Sequence, residues 1–165
     1  MEKYLFRKMQ EEDLTAVLQI YNHYVLNTTA SFHTQALTPD EMRELVFFTN
    51  SRHQTFVATV EGKICGYVFI AQHKKREAYD STAEVSVYLK PGYEGKGLGS
   101  LSIRHIEEYA RSQAFHVLVA TICGQNEASL RLFERNGFEK CAHYKEVGRK
   151  FDQWLDIVAC QKILR

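Results

Sequence analysis

Gly95, Gly97 and Gly99 stand at every second position after an apolar run that ends at Pro91-Gly92, and a helical pattern begins at Leu98. A strand that turns through glycines into a helix leaves the helix's first N–H groups without partners. With the helix dipole behind them, those groups bind anions, and phosphate is the usual one. Glycine suits such a turn because a Cβ would keep a bulky diphosphate away from the backbone. Two common phosphate patterns fail here. Leu98 stands where a Walker loop needs Lys, and Ser100 stands where a dinucleotide fingerprint needs Gly.

The elements that must position this turn are legible in order. Tyr4-Leu5-Phe6 reads as a first strand, and Glu11, Glu12 and Asp13 as an acidic helix start. Leu14, Val17, Leu18, Tyr21 and Val25 give that helix one apolar face. Residues 27–37 read as a loop with Phe32 exposed. Thr38-Pro39-Asp40-Glu41 predicts an N-cap, a first-turn proline and a capping box, for a helix running to about Phe48. Strands over 55–60 and 64–70 flank a tight turn at Glu61-Gly62-Lys63, and a polar excursion leads to a strand over 82–89. There Ala83, Val85, Val87 and Leu89 share one face, and Glu84, Ser86 and Tyr88 the other.

The helix after the glycines buries Gly99, Ile103, Ile106 and Ala110. Residues 117–122 form a nearly all-apolar, central strand. Asn126 caps a short helix with Ala128, Leu132 and Phe133 inside, which ends at Asn136-Gly137. Residues 138–164 alternate as two strands joined around Gly148-Arg149-Lys150. The expected order is β-α-α-β-β-β-α-β-α-β-β: an α/β chain with a mixed, mostly antiparallel sheet flanked by helices.

With 165 residues the chain is long enough for one domain, residues 1–165, with a substantial core. Its formal net charge is +1, and no basic run exceeds Lys74-Lys75-Arg76, so charge gives no sign of nucleic-acid or membrane binding. No apolar stretch could span a bilayer and no signal peptide is evident, which reads as cytoplasmic. Cys65, Cys123, Cys141 and Cys160 lack C-x-x-C spacing and read as buried free thiols. The seven histidines form no i, i+4 pair, so no metal is expected.

Taken together, the element order, Glu94-Gly95-Lys96-Gly97-Leu98-Gly99 and the segment Asn126–Phe138 resemble the GNAT acetyltransferase superfamily. The family loop opens with Arg or Gln, where this chain has Glu94. Residues 20–25, 76–84 and 152–156 are similar to its phosphinothricin and methionine sulfoximine acetyltransferase branch. That resemblance implies acetyl-CoA as co-substrate and the α-amino group of a small amino-acid-like molecule as acceptor. It places main-chain groups of Val87, Tyr88 and Leu89 along the pantetheine arm, where an extended amide adds to a strand edge. N–H groups of Gly95, Lys96, Gly97, Leu98, Gly99 and Ser100 would hold the pyrophosphate, with Asn126 and Ser129 beside the arm.

An α-amino group is largely protonated at neutral pH, so the chemistry needs a base. Glu84, on the polar face of the strand feeding the loop, is the candidate for it. Arg76 is the candidate clamp for an acidic head group, through its bidentate fork. Tyr79 and Phe32 are candidate pocket walls. Phe133 occupies a position where many GNAT enzymes carry a tyrosine acid, which leaves that acid unassigned and Tyr144 a weak nominee. A histidine considered catalytic in some relatives falls near Phe151, and its absence shifts weight to Glu84. Branch members are commonly homodimers, and Phe151 and Trp154 suggest an edge for one. Two other readings remain open at this point: an acetyltransferase for a polyamine, aminoglycoside or peptide N-terminus, and a non-catalytic acyl-CoA sensor.

Overall fold

The computed structural model describes residues 3–165. Its strands are β1 (Leu5–Lys8), β2 (Gln54–Val60), β3 (Lys63–Gln72), β4 (Thr82–Leu89), β5 (Val117–Cys123), β6 (Glu139–Lys150) and β7 (Gln153–Ile163). Its α-helices are α1 (Leu14–Asn27), α2 (Pro39–Val46), α3 (Leu98–Ser112) and α4 (Glu127–Arg135). The strands make one seven-stranded sheet in the order β1-β2-β3-β4-β5-β7-β6. All neighbours are antiparallel except β4 and β5, whose connection runs through α3.

Each face of the sheet has its own core. Ala83 and Val85 of β4 pack with Ile103, Ile106 and Ala110 of α3 and Phe133 of α4. On the opposite face Val17, Ile20, Tyr21 and Val25 of α1 and Met42 and Val46 of α2 cover Val57 and Tyr67, with Tyr88 against them. The period-2 alternation of β4 therefore sends Glu84, Ser86 and Tyr88 toward the α1–α2 face.

Several boundaries differ from the sequence reading. The first strand starts at Leu5, one residue later than expected. The acidic segment Glu11–Asp13 forms a 3-10 turn ahead of α1. The Asp13 carboxylate turns back to accept from the Gln10 N–H at 2.7 Å and from Arg7 at 2.7 and 2.8 Å. Thr38 caps α2 by accepting from the Glu41 N–H, but the helix stops at Val46 rather than Phe48. Ala128 is exposed; among the residues of α4 only Phe133 is fully buried. The last turn is Phe151-Asp152, both residues left-handed as a two-residue hairpin demands, so Gly148, Arg149 and Lys150 lie inside β6. Gly148 serves a different end: a Cβ there would stand 2.3 Å from the Phe32 ring. Cys141 is exposed, because it sits where the β6–β7 register slips between Lys140 and Ala142; the other three thiols are buried. Among the described residues no helix is long and apolar enough to cross a membrane.

Asp13 is 4% exposed, and the Arg7 guanidinium beside it holds its carboxyl below the usual carboxylate range. A depressed folded value means the pair stabilises fully above about pH 4 and that this contribution is lost as pH falls through the folded value. Asp13→Asn should cost about 2 kcal/mol at neutral pH, measured by urea unfolding, and the difference from the parent should shrink in acid. A constant difference down to pH 2 would assign the cost to packing.

Candidate active site

Strand β4 pairs with β5 only over Thr82, Ala83 and Glu84, which face Val117, Leu118 and Val119. Beyond Glu84 the two strands splay. The main chain from Val85 to Leu89 has no strand partner on that side, although β3 pairs its other edge through Leu89. Between the diverging strands lies a cleft of about 630 Å³. One wall carries Val87, Tyr88 and Leu89, the other Thr121, Ile122 and Cys123. Unpaired strand edge buried in a cleft is costly unless a main-chain-like partner fills it. The Leu89 carbonyl already has one donor, the Tyr24 hydroxyl.

The glycine turn closes one end of this cleft. Gly97 is the N-cap of α3 with φ +82, a left-handed conformation that no side chain favours. The first intrahelical bond is Leu101 N–H to Gly97 C=O at 3.1 Å, so the N–H groups of Leu98, Gly99 and Ser100 precede the ladder. Gly95, Gly97, Gly99 and Ser100 line the cleft. Leu98 is fully buried and belongs to the core, and the Lys96 ammonium lies 5.3 Å from the Tyr93 ring centre, so neither side chain lines it. Glu94, which breaks the family pattern, folds back so that its carboxylate accepts from the Gly92 N–H at 2.8 Å.

Asn126 and Ser129 also line the cleft, and the Asn126 side chain caps α4 by accepting from the Ser129 N–H at 3.2 Å. Arg131 and Arg135 of α4 line it as well and add positive charge that the sequence reading did not single out. They stand four residues apart, on one face of the helix. Phe133 is 3% exposed at the cleft wall, whereas Tyr144 is 55% exposed on β6 and does not line it. The phenols that do line it are Tyr24 and Tyr88; burial pushes Tyr24 up to about 12 and Tyr88 higher still.

Glu84 stands at the fork itself, the last residue of β4 paired with β5. Its Oε2 lies 3.1 Å from Nδ1 of His73, just beyond the end of β3. The His73 ring meets the Tyr79 ring edge-to-face at 5.6 Å, and Lys74 Nζ lies 5.4 Å from that ring's centre. Glu84, His73 and Tyr79 are thus one cluster. Arg76 is exposed, and among the described residues its guanidinium makes no hydrogen bond or ion pair. Phe32 belongs to a different bank, packed on Gly148 in the loop between α1 and α2. Lys150, 4% exposed, ties that loop down by donating to the Ser31 carbonyl at 2.7 Å; burial lowers its pKa.

A strand fork, an unpaired inner edge and a glycine turn into a helix coincide in this chain with a family match. The model for the Acetyltransferase (GNAT) family matches residues 17–138, most of the chain. The chain belongs to the GNAT acetyltransferase family. This acetyltransferase is 36% identical over 151 residues to phosphinothricin N-acetyltransferase of Streptomyces coelicolor, covering 89% of this chain and 88% of the relative. It is 38% identical over 154 residues to the L-methionine sulfoximine/L-methionine sulfone acetyltransferase of Pseudomonas aeruginosa, covering 90% and 88%. A phosphinothricin acetyltransferase from Sinorhizobium meliloti, solved in complex with acetyl-CoA, superposes with a TM-score of 0.93 at 29% identity, covering 98% of this chain and 88% of that one. The match joins the glycine turn and the fork in one acetyltransferase fold.

Proposed function

We propose that this GNAT enzyme acetylates the α-amino group of small amino-acid-like substrates of the phosphinothricin and methionine sulfoximine/sulfone type, using acetyl-CoA. The observation that carries the reading is the unpaired edge of β4 leading from Glu84 into the glycine turn. The residues present fit the co-substrate: an amide arm matches the edge at Val87, and a diphosphate matches the outward N–H groups of Leu98, Gly99 and Ser100. Arg131 and Arg135 supply charge toward the phosphates. The names of the relatives support the amine class.

When bound, acetyl-CoA supplies an acetyl thioester, whose C–S bond breaks as the amine nitrogen forms the new C–N bond. Glu84 takes the proton that frees the nitrogen lone pair, directly or through a water. The Val87 N–H, on the free edge, holds the carbonyl oxygen as charge builds on it. The Tyr24 hydroxyl already donates to the Leu89 carbonyl and burial raises its pKa to about 12, so the sulfur leaves as a thiolate without a proton from that phenol. Arg76 receives the acidic head group, and Phe32 and Tyr79 wall the acceptor side.

A panel of phosphinothricin, methionine sulfone, methionine sulfoximine, spermidine, an aminoglycoside and a short peptide, followed by thiol release from acetyl-CoA, tests the substrate class. The amino-acid analogues should give the highest kcat/KM, and Arg76→Ala should raise their KM by about tenfold or more. A preference for spermidine or the peptide would discard the pocket assignment. The proposal includes a homodimer joined through the exposed Tyr144, Val147, Phe151 and Trp154 of the β6–β7 hairpin. A monomeric mass by light scattering at micromolar concentration would count against it. It also includes a cytoplasmic location, supported by four free thiols and checked by cell fractionation.

A further inference from the structure

The face that carries Glu84 continues onto β3. Tyr67 pairs with Tyr88, Phe69 with Ser86 and Ala71 with Glu84, so every second residue of β3 lies on the same side as the carboxylate. His73 is the next in that series, one residue past the strand, diagonal to Glu84. Its Nδ1 reaches Glu84 Oε2 at 3.1 Å, and among the described residues no other hydrogen bond or ion pair reaches that carboxylate. The ring is held from behind by Tyr79, whose own ring has the Lys74 ammonium 5.4 Å from its centre. The cross-strand neighbours of Glu84, Ala71 on β3 and Val119 on β5, are apolar, and among the described residues His73 is the one hydrogen-bond partner that holds its rotamer.

We infer that His73 is a positioning residue for Glu84: by donating from Nδ1 to Oε2 it leaves the other carboxylate oxygen aimed at the incoming amine. The inference rests on the reading of Glu84 as the base. The side chains of His73 and Glu84 are 21% and 31% exposed. A partly exposed pair of this kind contributes at most about 1 kcal/mol to folding, so its effect is to be read in turnover rather than in stability. The donor's position also decides which replacement can stand in for it. An asparagine amide occupies roughly the place of Nδ1, and alanine offers no donor.

The experiment is a double-mutant cycle on thiol release from acetyl-CoA with L-methionine sulfone as the amine. His73→Ala should lower kcat by about 10- to 100-fold, with the KM for acetyl-CoA unchanged, and His73→Asn should recover most of that loss. In a Glu84→Gln background His73→Ala should have almost no further effect, because the group it orients no longer takes a proton. Parental kcat in His73→Ala, or a loss that adds in full to that of Glu84→Gln, would overturn the positioning role. Should Glu84→Gln itself turn over normally, the base assignment fails instead, and the two failures are told apart by the single variants. Circular dichroism and a urea midpoint close to the parent's verify that each variant is folded.

Discussion

Glu84→Gln should lower kcat by about 10²- to 10⁴-fold while leaving the KM for acetyl-CoA near its parental value. The separation follows from where the residue stands. Glu84 closes the paired part of β4 and β5 and does not line the cleft that begins at Val85, so its loss leaves the co-substrate's walls intact. Glutamine keeps the size and an acceptor oxygen, but it cannot take a proton at neutral pH. Raising the pH should restore part of the rate, because a growing share of the amine then arrives already neutral. Stopped-flow or coupled thiol assays across pH 7 to 10 would show this recovery. Equal turnover of variant and parent at every pH would remove Glu84 from proton transfer.

Gly97→Val should act at the other end of the cleft and raise the KM for acetyl-CoA by well over tenfold. Gly97 holds φ +82 as the N-cap of α3, and a Cβ added there meets nothing within 4 Å. The free protein therefore has room for a Cβ, and the strain lies in the backbone conformation, which costs about 1–2 kcal/mol for an L residue. Relaxing that strain turns the first N–H groups of α3 away from the cleft, and what side chain remains projects where the diphosphate must approach. Isothermal titration with CoA reads the loss directly. Unchanged CoA affinity in a folded Gly97→Val protein would move the phosphate site elsewhere.

Much of this architecture is written locally. The alternation in β4 already separates Glu84 from Val85, and the Gly95-Lys96-Gly97-Leu98-Gly99 spacing already specifies a left-handed entry to a helix. The fork between β4 and β5 is not local, since it depends on how far two strands separated by α3 remain paired, and only three residue pairs are made. His73 is half legible: the period-2 series from Tyr67 runs into it, but its approach to Glu84 needs the β3–β4 register. The β6–β7 turn is not legible in the sequence, because Gly148 looks like turn chemistry, whereas its missing side chain makes room for the Phe32 ring from a loop far away in sequence. Lys150, two residues past that glycine, falls in the expected turn; its burial against the Ser31 carbonyl is a tertiary effect that no residue spacing announces.

In the proposed transfer the substrate's own α-amine is the nucleophile. Comparing thiol release from acetyl-CoA with L-methionine sulfone and with its analogue bearing an α-hydroxyl in place of the amine tests it most directly. The amine should give steady release and an N-acetylated product, and the hydroxyl analogue only background release. Equal release with both compounds would contradict this by admitting a hydroxyl as acceptor, and equal release without any acceptor would assign the cleft to thioester hydrolysis.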